Sequence, residues 1–281
     1  MDKVEIPQGD ALPMDAIAEG VLGLRIGFVN VFAVTHPDGS WTLIDSAIPH
    51  MAGHIKSWAE KHFRGAPNAI VLTHGHFDHA GSVKDLAESW NVPIYAHPLE
   101  FPYLTGKESY PAPNWKAGGG MMSLLSPTLP KGPIDVGDRL RALPGKGAEA
   151  SLTEHSGEGA EVMLAELPGW TLLHTPGHTP GHVSFYRKSD RTLLVGDAFC
   201  TTKPESFFEA ALAQHTELHG PPSYFTSDWE AAKLSVRKLA ALEPRTVIPG
   251  HGKPLSGADV AGALHKLADD FNRIAVPENE K

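Results

Sequence analysis

The stretch Ala69-Ile70-Val71-Leu72-Thr73-His74-Gly75-His76-Phe77-Asp78-His79 decides how this chain is read. It starts as a short apolar run of strand type and ends with four metal-binding side chains, His74, His76, Asp78 and His79. The spacing excludes a helical site, because histidines at i and i+2 do not share a helix face, whereas zinc-binding helices use i and i+4. In an irregular loop leaving a strand, His74 and His76 can converge on one ion. Asp78 and His79 then stand one step further on, beside a second. Imidazole suits zinc and iron, and a carboxylate widens the choice towards manganese. Read separately, Asp78 would be a helix cap, His79 a first-turn residue and the others solvated loop histidines. The concentration of all four in one turn argues against that.

Three further segments place ligand-type residues at strand ends. Thr175-Pro176-Gly177-His178-Thr179-Pro180-Gly181-His182 sets two histidines in turns stiffened by proline and glycine. Gly196-Asp197-Ala198-Phe199 puts a carboxylate just past an apolar strand, and Pro249-Gly250-His251-Gly252 puts a histidine between glycines. Taken singly, Asp197 could cap a turn and His251 could be a satisfied loop histidine.

Between these motifs the chain alternates strands and helices. Strand patterns lie at 21–26, 28–34 and 41–44, the last two joined by the turn Pro37-Asp38-Gly39-Ser40. A helical period over about 50–63 precedes the strand at 69–72, and a second helix carries Val83, Leu86, Ala87 and Trp90 on one face. Strands are expected at 93–96, 161–167, 170–173, 183–186, 192–195 and 246–248. Helices are expected over about 228–242 and from near Ser256 through Ile274. Early hairpins exclude a purely parallel sheet. The two halves echo each other: strand, acid, helix, strand, histidine occurs as 41–44, Asp45, helix, 69–72, His74, and again as 192–195, Asp197, helix, 246–248, His251. This reads as two related halves meeting at a shared edge.

One stretch departs from the pattern. From about 97 to 132, six prolines and Gly118-Gly119-Gly120 are expected to break any regular element. So long a connection is expected to be a lid or interface segment inserted in a single domain spanning 1–281. Its apolar patch of Met121, Met122, Leu124 and Leu125 suits covering a site or docking a second subunit, so a homodimer is an option. The Gly- and Ser-rich stretch at 145–159 reads as a surface loop.

Composition narrows the function classes. The chain has 281 residues, 41% hydrophobic and 20% charged, which suits a soluble globular protein with a large core. Its 33 acids against 24 bases give a net charge of −9, with no Lys/Arg cluster to bind nucleic acid. No apolar stretch is long enough to span a bilayer, and the N-terminus lacks a secretory pattern. A single cysteine, Cys200, excludes an intrachain disulfide, so a cytoplasmic location is expected, with a small-molecule substrate as partner.

Together the motifs at Asp45, 74–79, His178, Asp197 and His251 resemble the metallo-β-lactamase-fold superfamily of metal-dependent hydrolases, in that family's order and over about 21–251. The resemblance implies an α/β (α+β) fold, a four-layer αββα sandwich with the site at the sheet edge. It implies that His74, His76 and His178 hold one cation, that Asp78, His79 and His251 hold a second, and that Asp197 bridges them. Asp45 would order the histidine loop without ligating. His182, the later histidine of its pair, would sit behind the ligands. His97, His155, His174, His215 and His219 are expected to have no catalytic role. Two divalent cations are implied, zinc first, with manganese or iron as options. Cations about 3.5–4 Å apart acidify a shared water, and the resulting hydroxide, oriented by Asp78, is the expected nucleophile. No Gly-x-Ser-x-Gly elbow offers an alternative one.

Within the family, true β-lactamases lack the bridging aspartate that Asp197 matches. Acyl-homoserine-lactone lactonases share all seven ligands but usually have tyrosine where Cys200 stands. Glyoxalase II-like thioesterases share the seven and add a basic C-terminal cluster that is missing here. The nucleases of the fold need a basic surface or an added domain, and flavodiiron reductases usually have glutamate in place of His76. The expectation is therefore a hydrolase of a small ester-like substrate, lactone or thioester first, with a pocket formed by Phe28, Met121, Met122, Cys200 and Tyr224. The alternatives are a phosphodiesterase or β-lactam-type hydrolase and, from another class, a mononuclear iron dioxygenase or a non-catalytic metal-binding protein.

Overall fold

The computed structural model of the protein describes residues 4–5, 11–117, 119–132, 134–144, 162–206 and 216–281. The chain runs β1 (Val4–Glu5), β2 (Val21–Ile26), β3 (Val29–Thr35), β4 (Trp41–Ile44), α1 (Ala52–His62), β5 (Ile70–Val71), α2 (Phe77–Ala80), α3 (Val83–Trp90) and β6 (Ile94–Ala96). Next come α4 (Phe101–Leu104), α5 (Met121–Leu125), β7 (Leu140–Ala142), β8 (Val162–Leu164), β9 (Leu167–His174), β10 (Val183–Arg187), β11 (Thr192–Gly196) and β12 (Glu217–Leu218). It closes with α6 (Trp229–Ala240), β13 (Thr246–Pro249), β14 (Leu255–Ser256), α7 (Asp259–Asp269) and α8 (Phe271–Ile274).

Two six-stranded sheets, ordered β2-β3-β4-β5-β6-β7 and β14-β13-β11-β10-β9-β8, make the frame, and β1 pairs with β12 at the margin. Both sheets are mixed. In the first, β2, β3 and β4 are antiparallel, and β4, β5 and β6 are parallel. In the second, the antiparallel run ends in the parallel pair β11–β13. The half-to-half echo thus has a physical form: each half contains a parallel crossover, β4 to β5 through α1 and β11 to β13 through α6.

Alternation along the strands builds the layers. On β3, Val29, Val31 and Ala33 pack with Ile55 of α1 and Val83 and Leu86 of α3. Phe32 and Val34 point the other way, into a core shared with Trp170, Phe185, Leu194 and Ile248 of the second sheet. On that sheet Leu193, Val195 and Val247 pack outward against Val236 and Leu239 of α6 and Leu264 and Leu267 of α7. Three apolar seams between four layers give helices, sheet, sheet, helices.

Three expectations need correction. The segment 97–132 is not devoid of regular structure: it holds 3₁₀ turns at Pro98–Glu100 and Ser126–Thr128 besides α4 and α5. Pro98, Pro102 and Pro127 sit in first turns, where a missing N–H removes no intrahelical bond. The strand expected over 161–167 is instead a hairpin, with Leu164 of β8 paired to Leu167 of β9. The final helix is interrupted at Asp270 (φ −97°, ψ 18°), whose carbonyl accepts the N–H of Arg273 at 2.8 Å and starts α8. The 145–159 loop expectation lies outside the described residues. Among the described residues no helix is long and apolar enough to cross a membrane.

Candidate metal centre

Parallel pairing brings the ends of β4, β5, β11 and β13 to one edge, and each delivers a polar residue there. Asp45 follows β4 in a left-handed conformation (φ 61°) and is buried. His74 and His76 leave β5, and Asp78 and His79 lie in the first turn of α2. From the other sheet, His178 and His182 come from the β9–β10 turn, Asp197 follows β11, and His251 follows β13. Gly196 also has a left-handed backbone (φ +53°), and a Cβ there would stand 2.7 Å from His182 Nε2, so glycine lets Asp197 turn inward.

Three groups of potential ligand atoms converge, His74/His76/His178, His74/His79/Asp197 and Asp78/His79/His251, the atoms of each group within 4.8 Å of one another. Asp197 lies between the sets: its Oδ1 is 3.4 Å from His79 Nε2, and its Oδ2 is 3.5 Å from His178 Nε2 and 3.1 Å from His251 Nε2. His251 Nε2 is also 3.4 Å from Asp78 Oδ2.

Outer contacts fix which ring nitrogen is bare. Thr73 Oγ1 donates to Asp45 Oδ2 at 2.8 Å, so it accepts from His74 Nδ1 at 3.0 Å and leaves the His74 Nε2 lone pair facing inward. His79 Nδ1 donates to Asp45 Oδ2 at 2.8 Å, and His251 Nδ1 donates to the Phe28 carbonyl at 2.8 Å. Thr226 Oγ1 donates to the Pro222 carbonyl, so it accepts from His178 Nδ1 at 3.2 Å. In all four rings the proton faces outward and a lone pair faces the centre, as outer partners of metal-bound histidines arrange. The inward nitrogens crowd: His76 Nδ1 stands 3.1 Å from His74 Nε2 and 2.9 Å from His178 Nε2. His79 Nε2 and Asp197 Oδ1 are buried without a hydrogen-bond partner. Acceptors facing acceptors in a buried site need cations, so the donor set fits divalent metal.

Charge follows the same division. Burial, reinforced by neighbouring imidazoles, drives His74 and His178 well below the usual histidine range, and burial takes His76 to about 3. These three rings stay neutral. Burial also disfavours charge on His79 and His251, but the Asp197 carboxylate raises both. Asp197 is held well below the carboxylate range by His251 and His79 against the opposing effect of burial, whereas burial raises Asp78.

His182 is committed elsewhere: its Nδ1 lies 3.1 Å from the Thr175 carbonyl, and its Nε2 accepts the Asp197 N–H at 2.9 Å. His97 and His174 stack on each other 4.3 Å apart, and His219 Nε2 is 3.8 Å from Glu205 Oε2. His155 and His215 lie outside the described residues.

Beside the centre lies a cavity of about 70 Å³, lined by His76 and His178, by Tyr103, Tyr110, Tyr224 and Phe225, and by Pro111, Ala112, Pro180, Thr226 and Ser227. Of the expected pocket residues, Tyr224 lines it. Phe28 stacks on His251 at 5.9 Å instead. Met121 is 51% exposed, Met122 is buried under its helix, and Cys200 is buried with its backbone paired to His219. These three do not line the cavity. Sequence reasoning missed Glu100, a fully buried carboxylate that accepts from Gly75 N–H, Tyr110 O–H, Thr179 O–H and Gly181 N–H. Its signal was an acid set among Pro98, Leu99, Phe101 and Pro102.

A family described as the metallo-beta-lactamase superfamily matches residues 24–251. The chain is similar to the "probable metallo-hydrolase YflN" of Bacillus subtilis (strain 168), 40% identical over 261 residues, spanning 92% of this chain and 93% of that one. It is similar also to the "probable metallo-hydrolase YybB" of the same organism, 33% identical over 191 residues, 68% of this chain and 67% of that one. Among solved structures, TTHA1623 in a di-iron-bound form superposes with a TM-score of 0.54 at 26% identity, covering 87% of this chain and 96% of that one. A beta-lactamase domain protein from Burkholderia ambifaria gives a TM-score of 0.58 at 22% identity, covering 96% and 80%, a likeness of fold alone.

Proposed function

This chain belongs to the metallo-beta-lactamase superfamily, and from that premise we propose that it is a binuclear metal-dependent hydrolase of a small, uncharged ester-like substrate, lactone or thioester first. The observation that carries this reading is Asp197, which stands between two sets of inward lone pairs: its Oδ2 is 3.5 Å from His178 and 3.1 Å from His251, and its Oδ1 is 3.4 Å from His79. One set would be His74, His76 and His178, the other Asp78, His79 and His251, with Asp197 shared. A mononuclear iron centre would leave the Asp78/His79/His251 set without a role.

When bound, two divalent cations would supply Lewis-acid polarisation and an acidified water. The chain's own residues do the rest. Asp78, the carboxylate among Asp78, His79 and His251, is placed to orient a nucleophilic water. His76 and His178 are the members of the set that also line the cavity, so substrate would enter on their side. Among the described residues that wall has no lysine, arginine or carboxylate, which supports a neutral substrate over a phosphodiester. Tyr103, Tyr110, Tyr224 and Phe225 offer flat apolar faces to its acyl part. The chain would act as one domain on a small molecule. Zinc is favoured, and the di-iron form of TTHA1623 makes iron the second choice.

The test is a panel of esters, lactones, thioesters and phosphodiesters with Zn²⁺-, Mn²⁺- and Fe²⁺-reconstituted protein, alongside metal analysis. Turnover of neutral esters with close to two metals per chain supports the proposal. Cleavage of phosphodiesters alone, or one tightly held iron without hydrolysis, overturns it.

A further inference from the structure

Two buried carboxylates stand next to the candidate ligands without facing an ion. Asp45 grips one side: it accepts from Thr73 N–H, Thr73 O–H and His79 Nδ1–H, each at 2.8 Å. Glu100 grips the other, and its place in the chain is unexpected, because it ends the first turn of the 97–132 segment. Its Oε2 accepts from Gly75 N–H at 2.9 Å and from Tyr110 O–H. Its Oε1 accepts from Thr179 O–H at 2.8 Å and Gly181 N–H at 2.7 Å.

Gly75 separates His74 from His76, and Thr179 follows His178. Three of the four hydrogen bonds, from Gly75, Thr179 and Gly181, therefore tie together the loops that bear His74, His76 and His178, at residues adjoining those three ligands. Both glycines are shaped to the carboxylate and its partner. A Cβ on Gly181 would meet Glu100 Cγ at 2.7 Å, and one on Gly75 would meet Tyr110 Oη at 2.6 Å. Every partner of Glu100 offers a proton, so both carboxylate oxygens must accept. A glutamine would turn an –NH₂ group towards one pair of donors and strand a buried backbone N–H.

We propose that Glu100 is a positioning residue for the His74/His76/His178 site, setting the separation of the loops that carry these ligands, while Asp45 steadies His79 directly and His74 through Thr73. The inference rests on the binuclear reading above. Through Tyr110, which lines the cavity, Glu100 also links the substrate wall to that site. The carboxylate itself touches neither cation nor substrate.

The test is Glu100→Gln in the full-length protein loaded with Zn²⁺ or Co²⁺, read by metal release to a chelator and by the Co²⁺ visible absorption. The expected result is that one of two cations is released about tenfold more readily, within the range for lost outer partners. The Co²⁺ spectrum should change, and the second cation should keep its affinity within about twofold. Thr179→Val, which deletes one donor with little change of shape, should act in the same direction by about threefold, and it decides the matter if Glu100→Gln does not fold. Equal release of both cations, or native release with only a lower melting temperature, would overturn the proposal and leave the binuclear reading standing. Native protein that takes up no cation would overturn both.

Discussion

His182 Nε2 accepts the backbone N–H of Asp197 at 2.9 Å, while its Nδ1 is turned to Thr175. The second histidine of the 175–182 turn thus points the shared carboxylate without offering it a lone pair of its own. His182→Leu strands a buried N–H, which should cost about 1–3 kcal/mol. Metal affinity should fall about tenfold or more. Chemical denaturation of the metal-free protein separates the first effect from the second, which chelator competition measures.

Asp197→Asn replaces one shared oxygen with an –NH₂ group facing inward lone pairs. Metal content is expected to fall from two per chain towards one, and kcat by at least about a hundredfold. Full activity with two metals in the variant would remove Asp197 from the ligand set.

Phe225 walls the cavity and packs on His76 with ring centres 4.9 Å apart. Phe225→Ala should raise KM about tenfold through lost apolar contact, with a smaller change in kcat. Steady-state kinetics on a neutral ester reads this, and an unchanged KM would place the substrate elsewhere.

Burial, with His174 stacked alongside, lowers His97 to about 4 from an ordinary 6.5. Between these values the unfolded chain binds a proton that the folded chain refuses, so stability should decline as pH falls through that window. His97→Asn keeps an acceptor for the Leu99 N–H but cannot titrate. Its denaturation midpoint should depend less steeply on pH between about 6.5 and 4 than the native protein's does.

Trp41 opens β4, fully buried and stacked on Phe63 at 4.4 Å, at the far end of the strand from Asp45. Trp41→Ala should destabilise by about 3–5 kcal/mol. Trp41→Phe should cost less and leave metal content unchanged, as denaturant titration and metal analysis would check.

Most of the layered fold was legible because burial follows alternation along strands. Val29, Val31 and Ala33 read as one face and Phe32 and Val34 as the other, and the structure puts them in different seams. The convergence of 74–79 with His178, Asp197 and His251 was legible because each motif directly follows an apolar strand, and parallel pairing of β4 with β5 and of β11 with β13 brings those ends together. The cavity was harder. Its wall comes from Tyr103 on the single-turn helix α4, from Tyr110 and from the 224–227 turn, segments too short or irregular to show a periodicity. Glu100 escaped for a related reason: an acid in a proline-rich stretch reads as solvated until its four donors are known. Short edge strands such as β7 and β14 have too few residues to show a period.

The candidate ligands are split between the sheets, His74 to His79 from one and His178, Asp197 and His251 from the other. An ion held by both would act as a rivet across the inner seam of Phe32, Ile44, Phe185 and Ile248. A chain still leaving the ribosome would offer an incomplete set until His251 arrives, so full coordination would report that the two sheets have met. Loss of the ion would then be an early sign that the sheets have begun to part, ahead of any change in helix content.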